Sequence, residues 1–160
     1  MNTQKLLAAV GVLTVLLSGC ASVQGPATVA DTAARRPELS TLNKLIAEAG
    51  LTETLKAGGP YTVFAPSDEA FKAVPAKTMA ELSSNKALLK SVLTYHVVPA
   101  KLTAAEVSNK GVKSVQGADL ALSKSGSFVT VEDAMVVQAD VAASNGVVHV
   151  IDRVLMPPKK

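Results

Sequence analysis

Cysteine, tryptophan and histidine are scarce in this chain of 160 residues, and each scarcity narrows what the protein is able to do. A single cysteine, Cys20, cannot form a disulfide within the chain. Aromatic residues make up 3% of the sequence, with no tryptophan, so the core must be built from Val, Leu, Ile and Ala. Any chemistry that depends on an imidazole must use His96 or His149, because these are the only two histidines.

The overall composition predicts one folded domain. A hydrophobic content of 48% over 160 residues is enough to fill a core. The net charge is +3, but the lysines are scattered singly and almost no aromatic residue lies among them to stack on bases. We therefore interpret the small excess of basic residues as a contribution to the solubility of the protein, and we expect no nucleic-acid partner.

The first twenty residues read as an export signal. A short segment with one positive charge (1–5) precedes twelve apolar residues (6–17), which are too few for a bilayer span of about 20 residues. The stretch "LSGC" (17–20) resembles the lipobox of bacterial lipoproteins, in which diacylglycerol alkylates the thiol, cleavage precedes the cysteine and the new amino group is acylated. Two or three fatty chains anchor a protein stably where one would not.

An ordinary signal peptidase site with an incidental cysteine, or a buried free thiol, are the alternatives to a lipid anchor at Cys20. With the anchor, residues 1–19 are the signal peptide, 20–27 are a lipidated tether and 28–158 are the domain. We expect export to the cell envelope, with the membrane as a partner through the lipid. Ala21 follows the cysteine where an Asp would resemble an inner-membrane retention signal, so the outer membrane is favoured in a Gram-negative organism.

The first half of the domain has helical spacing. Apolar residues recur at three- and four-residue intervals in 31–57, with Gly50 at a helix end. Ser67 is suited to cap the helix that follows the strand "YTVFA", and another helix begins near Asn85. Two pairs with capping-box spacing, Thr78 with Glu81 and Thr103 with Glu106, each predict a further short helix.

The second half predicts strands separated by turns. The segments "GVKSV", "DLALS", "SFVTV" and "AMVVQADV" are short, and Asn145-Gly146 is the strongest turn signal in the chain. A helical first half and a hairpin-rich second half indicate an α+β fold.

Three segments together carry a family resemblance. "YTVFAPSDEAF" (61–71), "LTYHVVP" (93–99) and "SNGVVHVIDRVLMP" (144–157) resemble the two hallmark segments and the central Tyr-His motif of the fasciclin-type domain. The resemblance implies a wedge of two packed β-sheets flanked by several short helices, in a domain found in extracellular and surface adhesion proteins. The residues that carry the two hallmarks, which we expect to be structural, are Phe64, Pro66, Ser67, Asp68, Phe71, Gly146, His149 and Asp152.

The physical pattern of the hallmark segments supports that expectation. "VVHVID" lacks clean alternation, as expected for a strand buried on both faces. His149 lies inside it and is expected to be structural. His96 has two readings: a buried ring that anchors a helix end through hydrogen bonds, or part of an adhesion face with Tyr95, as the resemblance implies.

Catalysis and metal binding find little support in the sequence. No G-x-S-x-G elbow occurs, and two histidines about fifty residues apart with one cysteine give no ligand cluster at recognisable spacing. We therefore expect no enzymatic activity, no metal and no cofactor.

The function predicted is a monomeric, non-catalytic adhesion or interaction module that binds a protein or matrix partner. The resemblance adds Asp140 and Val141 as candidate partner-binding residues beside Tyr95 and His96, because adhesion in animal members is linked to an Asp-Ile pair at this place. The alternative is a periplasm-facing lipoprotein that binds a small ligand or stabilises an envelope complex.

Overall fold

The computed structural model describes residues 27–158, so the predicted signal peptide, Cys20 and most of the tether lie outside the described residues. Six helices and seven strands follow one another in this range. The helices are α1 (Val29–Ala34), α2 (Ser40–Glu48), α3 (Thr52–Ala57), α4 (Asp68–Lys72), α5 (Ala76–Ser84) and α6 (Lys86–Tyr95), with a 3₁₀ turn at Pro37–Leu39. The strands are β1 (Tyr61–Pro66), β2 (Val97–Val98), β3 (Lys110–Lys113), β4 (Asp119–Ser125), β5 (Phe128–Val131), β6 (Ala134–Ala143) and β7 (Gly146–Ile151). None of the helices in this range is long and apolar enough to cross a bilayer.

The strands form a seven-stranded sheet in the order β2-β1-β7-β6-β5-β4-β3. Strand β6 joins the β2-β1-β7 portion of the sheet to the β5-β4-β3 portion. It pairs with β5 near its start and with β7 over the rest of its length. The N–H of Val115 donates to the carbonyl of Val97 at 2.7 Å, which brings the chain beside β3 against β2 and nearly closes the sheet. The α+β class and the wedge of two sheet portions with short helices are thus confirmed.

The core lies on both sides of the central strands. One cluster lies between the helices and β1 and β7, where Val63, Val148 and Val150 pack against α2 and α6. The other lies inside the nearly closed sheet and contains Phe64 and Ile151. Every residue of β7 is buried and the strand lies between β1 and β6, so the prediction of a strand buried on both faces is confirmed.

Two predictions of helix starts need correction. Helix α5 begins at Ala76, not at Thr78, because the extended backbone of Pro75 starts the helix two residues earlier. Thr103 and Glu106 form only half of the expected capping box: Glu106 Oε2 accepts from the Thr103 N–H and hydroxyl at 2.9 Å, but the Glu106 N–H donates to the Thr103 carbonyl and not to its side chain. The chain nevertheless makes a single turn there and no helix follows.

Candidate functional site

His96 ends helix α6 and is completely enclosed. The N–H of Leu155 donates to its Nε2 at 3.0 Å, so the ring proton must sit on Nδ1, which donates to the carbonyl of Val92 at 2.8 Å. Burial lowers the pKa of His96 to about 4, although the bond to Val92 opposes this effect. The ring is therefore neutral at pH 7 and ties the end of α6 to the C-terminal segment.

Tyr95 is buried as well, with 3% of its surface exposed. Its phenolic oxygen lies 3.3 Å from the carbonyl of Asp119 and 3.4 Å from Oε1 of Glu132. Burial raises the pKa of Tyr95, and the nearby Glu132 carboxylate raises it further. Both side chains are buried, which agrees with the structural reading of the Tyr-His pair; a role in partner binding stays a prediction.

Asp140 lies in a bulge of β6. Gln138 pairs with Val150 and Val141 pairs with Val148, so two residues of β6 oppose His149 alone. Asp140 has φ +55, a left-handed conformation that Asp tolerates better than most residues. Its N–H, which the ladder cannot use, donates to Nδ1 of His149 at 3.2 Å.

His149 links this bulge to another segment of chain. Because Nδ1 accepts a bond, the proton must be on Nε2, which donates to the carbonyl of Leu102 at 2.7 Å. The ring also stacks on Phe64, with centroids 5.6 Å apart. Burial lowers the pKa of His149, so this ring too is neutral at pH 7. The ring nitrogens of both histidines are hydrogen-bonded to backbone peptide groups. His96 is protonated on Nδ1, whereas His149 is protonated on Nε2.

Segment 100–104 is fixed by side chains from four strands. Thr62 donates to the carbonyl of Ala100 at 2.6 Å and accepts from the N–H of Leu102 at 2.8 Å. Oδ1 of Asp140 accepts from the N–H of Ala104 at 2.7 Å, and Lys124 donates to the carbonyl of Ala104 at 2.7 Å. His149 is the fourth contributor. Asp140 is therefore exposed but structurally engaged, and its partner-binding role stays a prediction.

Val141 packs half-buried against the helix-side core. The hydrogen-bond groups that hold Tyr95, His96 and Asp140 are separate from one another within residues 27–158. Because Tyr95 and His96 are buried, the four candidate partner-binding residues do not form one exposed surface.

The first hallmark forms a strand–helix junction. Ser67 caps α4 by accepting from the N–H of Ala70 at 3.3 Å. Asp68 accepts from the Ser40 hydroxyl at 2.7 Å and from the Thr41 N–H at 2.8 Å, so it joins α4 to α2. Burial opposes the charge of Asp68, but these hydrogen bonds outweigh it and hold the pKa of its carboxyl below the usual range. Three other residues of this hallmark, Phe64, Pro66 and Phe71, are buried around the junction.

In the second hallmark, the backbone of Gly146 lies very close to the backbone of Tyr61 on β1. Gly146 has φ +158, and a Cβ there would overlap the carbonyl oxygen of Tyr61 on the neighbouring strand. Asp152 extends the ladder beyond β7, because its Oδ1 accepts from the N–H of Met135 at 2.8 Å and its own N–H donates to the Met135 carbonyl at 3.1 Å. Gly146 permits the close approach of two backbones, and Asp152 bonds the backbone of Met135 through its carboxylate and its own N–H.

Asn145 is an important residue that the sequence reasoning treated only as a turn. Its Oδ1 accepts from the N–H of Val29 at 2.8 Å, and its Nδ2 donates to the carbonyls of Leu55 and Gly58 at 2.7 and 2.9 Å. One side chain thus joins α1, α3 and the β6–β7 turn. An Asn in a turn was visible in the sequence, but its partners are 87 to 116 residues away.

Strands β5 and β6 carry exposed apolar side chains that the sequence pattern did not predict. Phe128 is 65% exposed, Val137 is 59% exposed and Met135 is 42% exposed. Thr130 pairs with Met135, and continuing that register by two residues on each strand would bring Phe128 opposite Val137. Val129 and Val131 point into the core, so the alternation of β5 turns Phe128 and Thr130 outward. We call Phe128, Met135 and Val137 the apolar strip.

Clefts of a few hundred Å³ occur on the surface. One of about 380 Å³ lies between α4, α5 and the C-terminal segment and is lined by residues that include Val74, Pro75, Arg153 and Met156. Another, of about 480 Å³, lies between the turn 57–60, Lys101 and the turn 143–146. No group of three or more His, Cys, Asp or Glu side chains is close enough to hold a metal ion among residues 27–158.

Comparison with known proteins agrees with this fold. A sequence model described as "Fasciclin domain" matches residues 37–157. Protein sll1483 of Synechocystis is 46% identical over 140 residues, which cover 86% of this chain and 78% of that protein. The cell surface glycolipoprotein MPB83 of Mycobacterium bovis is 39% identical over 148 residues, which cover 88% of this chain and 66% of that protein.

A solved structure agrees as well. The FAS1 domain pair of the insect cell adhesion molecule fasciclin I superposes with a TM-score of 0.63 at 25% identity, over 76% of this chain. The match spans 46% of that longer chain. The names of these relatives place fasciclin domains in surface-associated and adhesion proteins. Since the family match spans most of the described residues and the fold agrees with it, the chain belongs to the fasciclin domain family.

Proposed function

We propose that this protein is a lipid-anchored interaction module of a bacterial cell envelope. Fatty chains on Cys20 hold the domain at the membrane, and the folded domain binds a macromolecular partner without catalysing a reaction. A relative named as a cell surface glycolipoprotein and a structural neighbour named as a cell adhesion molecule support this proposal. In a Gram-negative organism the anchor would hold the protein in the outer membrane.

The hydrogen bonding of the two histidine rings supports a non-catalytic role for the protein. All four ring nitrogens of His96 and His149 are occupied by peptide N–H or C=O groups. A general base must be within reach of a substrate proton, and a ring buried in backbone bonds is not. Replacing either histidine should therefore lower the stability of the fold. It should not abolish turnover of any substrate in a variant that still folds.

The observation that carries the proposal is the apolar strip. Three large apolar side chains on neighbouring strands are exposed together, and exposed apolar clusters mark interaction surfaces more often than isolated apolar residues do. On one side of the strip, the β4 residues that pair with Phe128 and Thr130 are Ser125 and Ser123. On the other side, the Asp152 carboxylate accepts from the N–H of Met135, and Arg36 donates to the side chain of Gln138 next to Val137. An apolar centre with a polar and partly charged rim suits a protein partner.

The test compares cells that carry the full-length protein with cells that carry the Phe128→Ser, Val137→Ser double variant. Loss of the strip should weaken attachment to surfaces coated with envelope or host-matrix extract by about tenfold or more, since truncating central contact residues costs about 1–2 kcal/mol each. Ser123→Ala with Ser125→Ala is the matched control on the adjacent strand and should attach normally. A double variant with normal circular dichroism that attaches like the native protein would refute the assignment of the strip.

The anchor is tested separately by mass spectrometry of the mature N-terminus. The proposal requires that the mature chain start at Cys20 and carry diacylglycerol and an acyl chain. A start at another residue, or an unmodified thiol, would contradict it.

A small-ligand role is the second candidate, and the cleft beside Arg153 favours it. Its volume of about 380 Å³ is within the range of small-molecule sites, and its walls combine apolar side chains with one guanidinium. In that case the domain would face the periplasm. Protease treatment of intact cells separates the candidates, because only a surface-displayed domain is digested.

A further inference from the structure

The point at which the tether joins the domain is fixed by backbone hydrogen bonds. The carbonyl of Ala27 accepts from the N–H of Ser144 at 2.8 Å, and the N–H of Val29 donates to Asn145 at 2.8 Å. Thr28 between them caps α1 in a complete capping box with Asp31. The chain that leads back to Cys20 therefore leaves the fold beside the β6–β7 turn.

This position defines one end of the domain, which we call the tether end. The parallel strands β1 and β7 begin there, at Tyr61 and Gly146, and β6 finishes there. The turn 57–60 lies against the same place, because Asn145 donates to the carbonyls of Leu55 and Gly58. The tether end is thus a surface made by two turns and the start of α1, where the charge of Asp31 is balanced by Lys56 at 3.6 Å.

The opposite end, the distal end, is where β7 finishes and β6 begins. The six residues of β7 span about 20 Å at 3.3 Å per residue. The turn Glu132–Asp133 and Asp152 lie at this distal end, because Ala134 follows the turn directly and Val136 pairs with Ile151. The distal end therefore carries several carboxylates.

The tether is too short to let the domain stand far from the membrane. Seven residues, Cys20 included, lie between the lipid and Ala27, and seven residues span at most about 25 Å at about 3.6 Å per residue. That limit is close to the length of β7. The surface next to Ala27 therefore stays near the headgroups.

The chemistry of the tether end suits a headgroup layer. Its cleft of about 480 Å³ is lined by Ala57, Gly58, Gly59, Pro60, Lys101, Ala143, Ser144, Asn145 and Gly146. Lys101 is exposed and is the one charged residue in that lining. The Lys101 ammonium attracts lipid phosphate, and Glu106, the carboxylate that interacts with it, lies outside the cleft lining. At the distal end Arg153 lies beside Glu132 and Asp133, but the carboxylates outnumber it and are repelled by anionic lipids.

From these observations we propose that the tether end is a membrane-docking surface. The turns 57–60 and 143–146 rest on the headgroups of the bilayer that holds Cys20, with Lys101 against lipid phosphate, and the distal end points away from the membrane. This inference rests on the lipid anchor of the proposed function, and it adds which face of the domain the membrane covers.

The experiment uses the full-length lipidated protein in vesicles of phosphatidylethanolamine and phosphatidylglycerol that contain a headgroup-linked quencher. Because Cys20 is the only cysteine and its sulfur is alkylated in the lipoprotein, an added cysteine can be labelled uniquely. Ser144→Cys places a fluorophore at the tether end, and Asp133→Cys places one at the distal end. We expect strong quenching at position 144 and weak quenching at position 133.

The contribution of Lys101 is tested in the Ser144→Cys background. Lys101→Glu should reduce the population of the docked orientation about fivefold or more, since one lysine near an anionic surface contributes about 1 kcal/mol. Lys113→Glu makes the same change of charge on β3, away from the cleft, and should leave the quenching at position 144 unchanged.

The outcomes separate the two proposals. Equal quenching at positions 133 and 144, or stronger quenching at 133, on vesicle-bound protein with an intact lipid would overturn the docking surface and leave the anchor standing. Protein that does not remain on the vesicles, with an unmodified Cys20 in its mass spectrum, would overturn both.

Discussion

The N–H of Asp140 donates to Nδ1 of His149 across the β6–β7 pair, 3.2 Å away, and so a core histidine completes a bulge at the surface. The same ring reaches Leu102 on its other side. An exposed residue singled out for adhesion and a buried residue singled out as structural therefore form one unit. A substitution at either position will affect the segment 100–104 as well.

Replacing His149 with Ala should destabilise the domain by roughly 3 kcal/mol. The change leaves the Asp140 N–H and the Leu102 carbonyl without their partner and removes the contact with Phe64. The free energy of unfolding from urea titration measures this loss. Ala139→Ser, at an exposed position in the same bulge, should change it by less than about 0.5 kcal/mol. A loss below about 1 kcal/mol in His149→Ala would contradict the structural role.

Stability should fall as the pH is lowered from 6.5 towards 4.5. Both histidines have a pKa lowered by burial, and that of His96 is about 4, so below pH 6.5 the unfolded chain binds protons that the folded chain does not. His96 alone should reduce the free energy of unfolding by roughly 2–3 kcal/mol between pH 7 and pH 4.5. His149 adds to the loss in the same direction.

The contribution of the histidines to the pH dependence of the free energy of unfolding can be separated from that of the carboxylates. The carboxyls whose pKa is lowered are those of Asp31, Glu38, Asp68 and Glu106, so their contributions are lost mainly below about pH 4.5, where the unfolded chain begins to take up protons on them. Urea titrations at half-unit steps from pH 7 to pH 4.5 therefore report the histidines. A free energy of unfolding that stays constant over this range would show that the rings are not neutral and enclosed as described.

Gly146→Ala should destabilise the domain by more than about 3 kcal/mol or prevent folding. The new methyl group would overlap the Tyr61 carbonyl, and the backbone at φ +158 is unfavourable for alanine. Gly111→Ala is the matched control, because a Cβ there would meet only the Cβ of Asp119 at an ordinary 3.9 Å. Thermal unfolding should show a large decrease in Tm for the first variant and little change for the second; similar Tm values would refute the close approach.

Asp68→Ala should lower stability by about 2 kcal/mol, because it removes two charge-assisted bonds that join α4 to α2. Glu69→Ala removes an adjacent carboxylate whose ion pair with Lys72 is exposed, and should have little effect. The difference between the two variants should shrink as the pH falls below about 4, where Asp68 becomes protonated. Equal unfolding free energies at pH 7 would contradict the proposed link.

The sequence predicted the elements whose signals are local. Asn85 caps α6 as expected, and β3 to β6 lie within three residues of the segments predicted from alternation and turns. Glu106 accepts the predicted bond from the Thr103 N–H, but no helix follows, because Thr62, His149 and Asp140 hold the neighbouring peptide groups from distant strands. Such constraints have no local signature.

The candidate site was harder to predict for the same reason. The resemblance located Tyr95, His96 and Asp140 in the chain, but nothing in the local pattern shows that the first two are buried. Alternation in "SFVTV" defines two faces without saying which one is covered, so the exposure of Phe128 follows only from the packing of Val129 and Val131. Hydrophobicity alone would have placed Phe128 inside.

The bond between Val115 and Val97 has a consequence for proteins crowded at a membrane. It occupies the Val97 carbonyl of the edge strand β2, which is only two residues long, so this edge offers little for a foreign strand to pair with. In the lipid-anchored form proposed above, neighbouring molecules at the membrane would therefore not extend their sheets through β2.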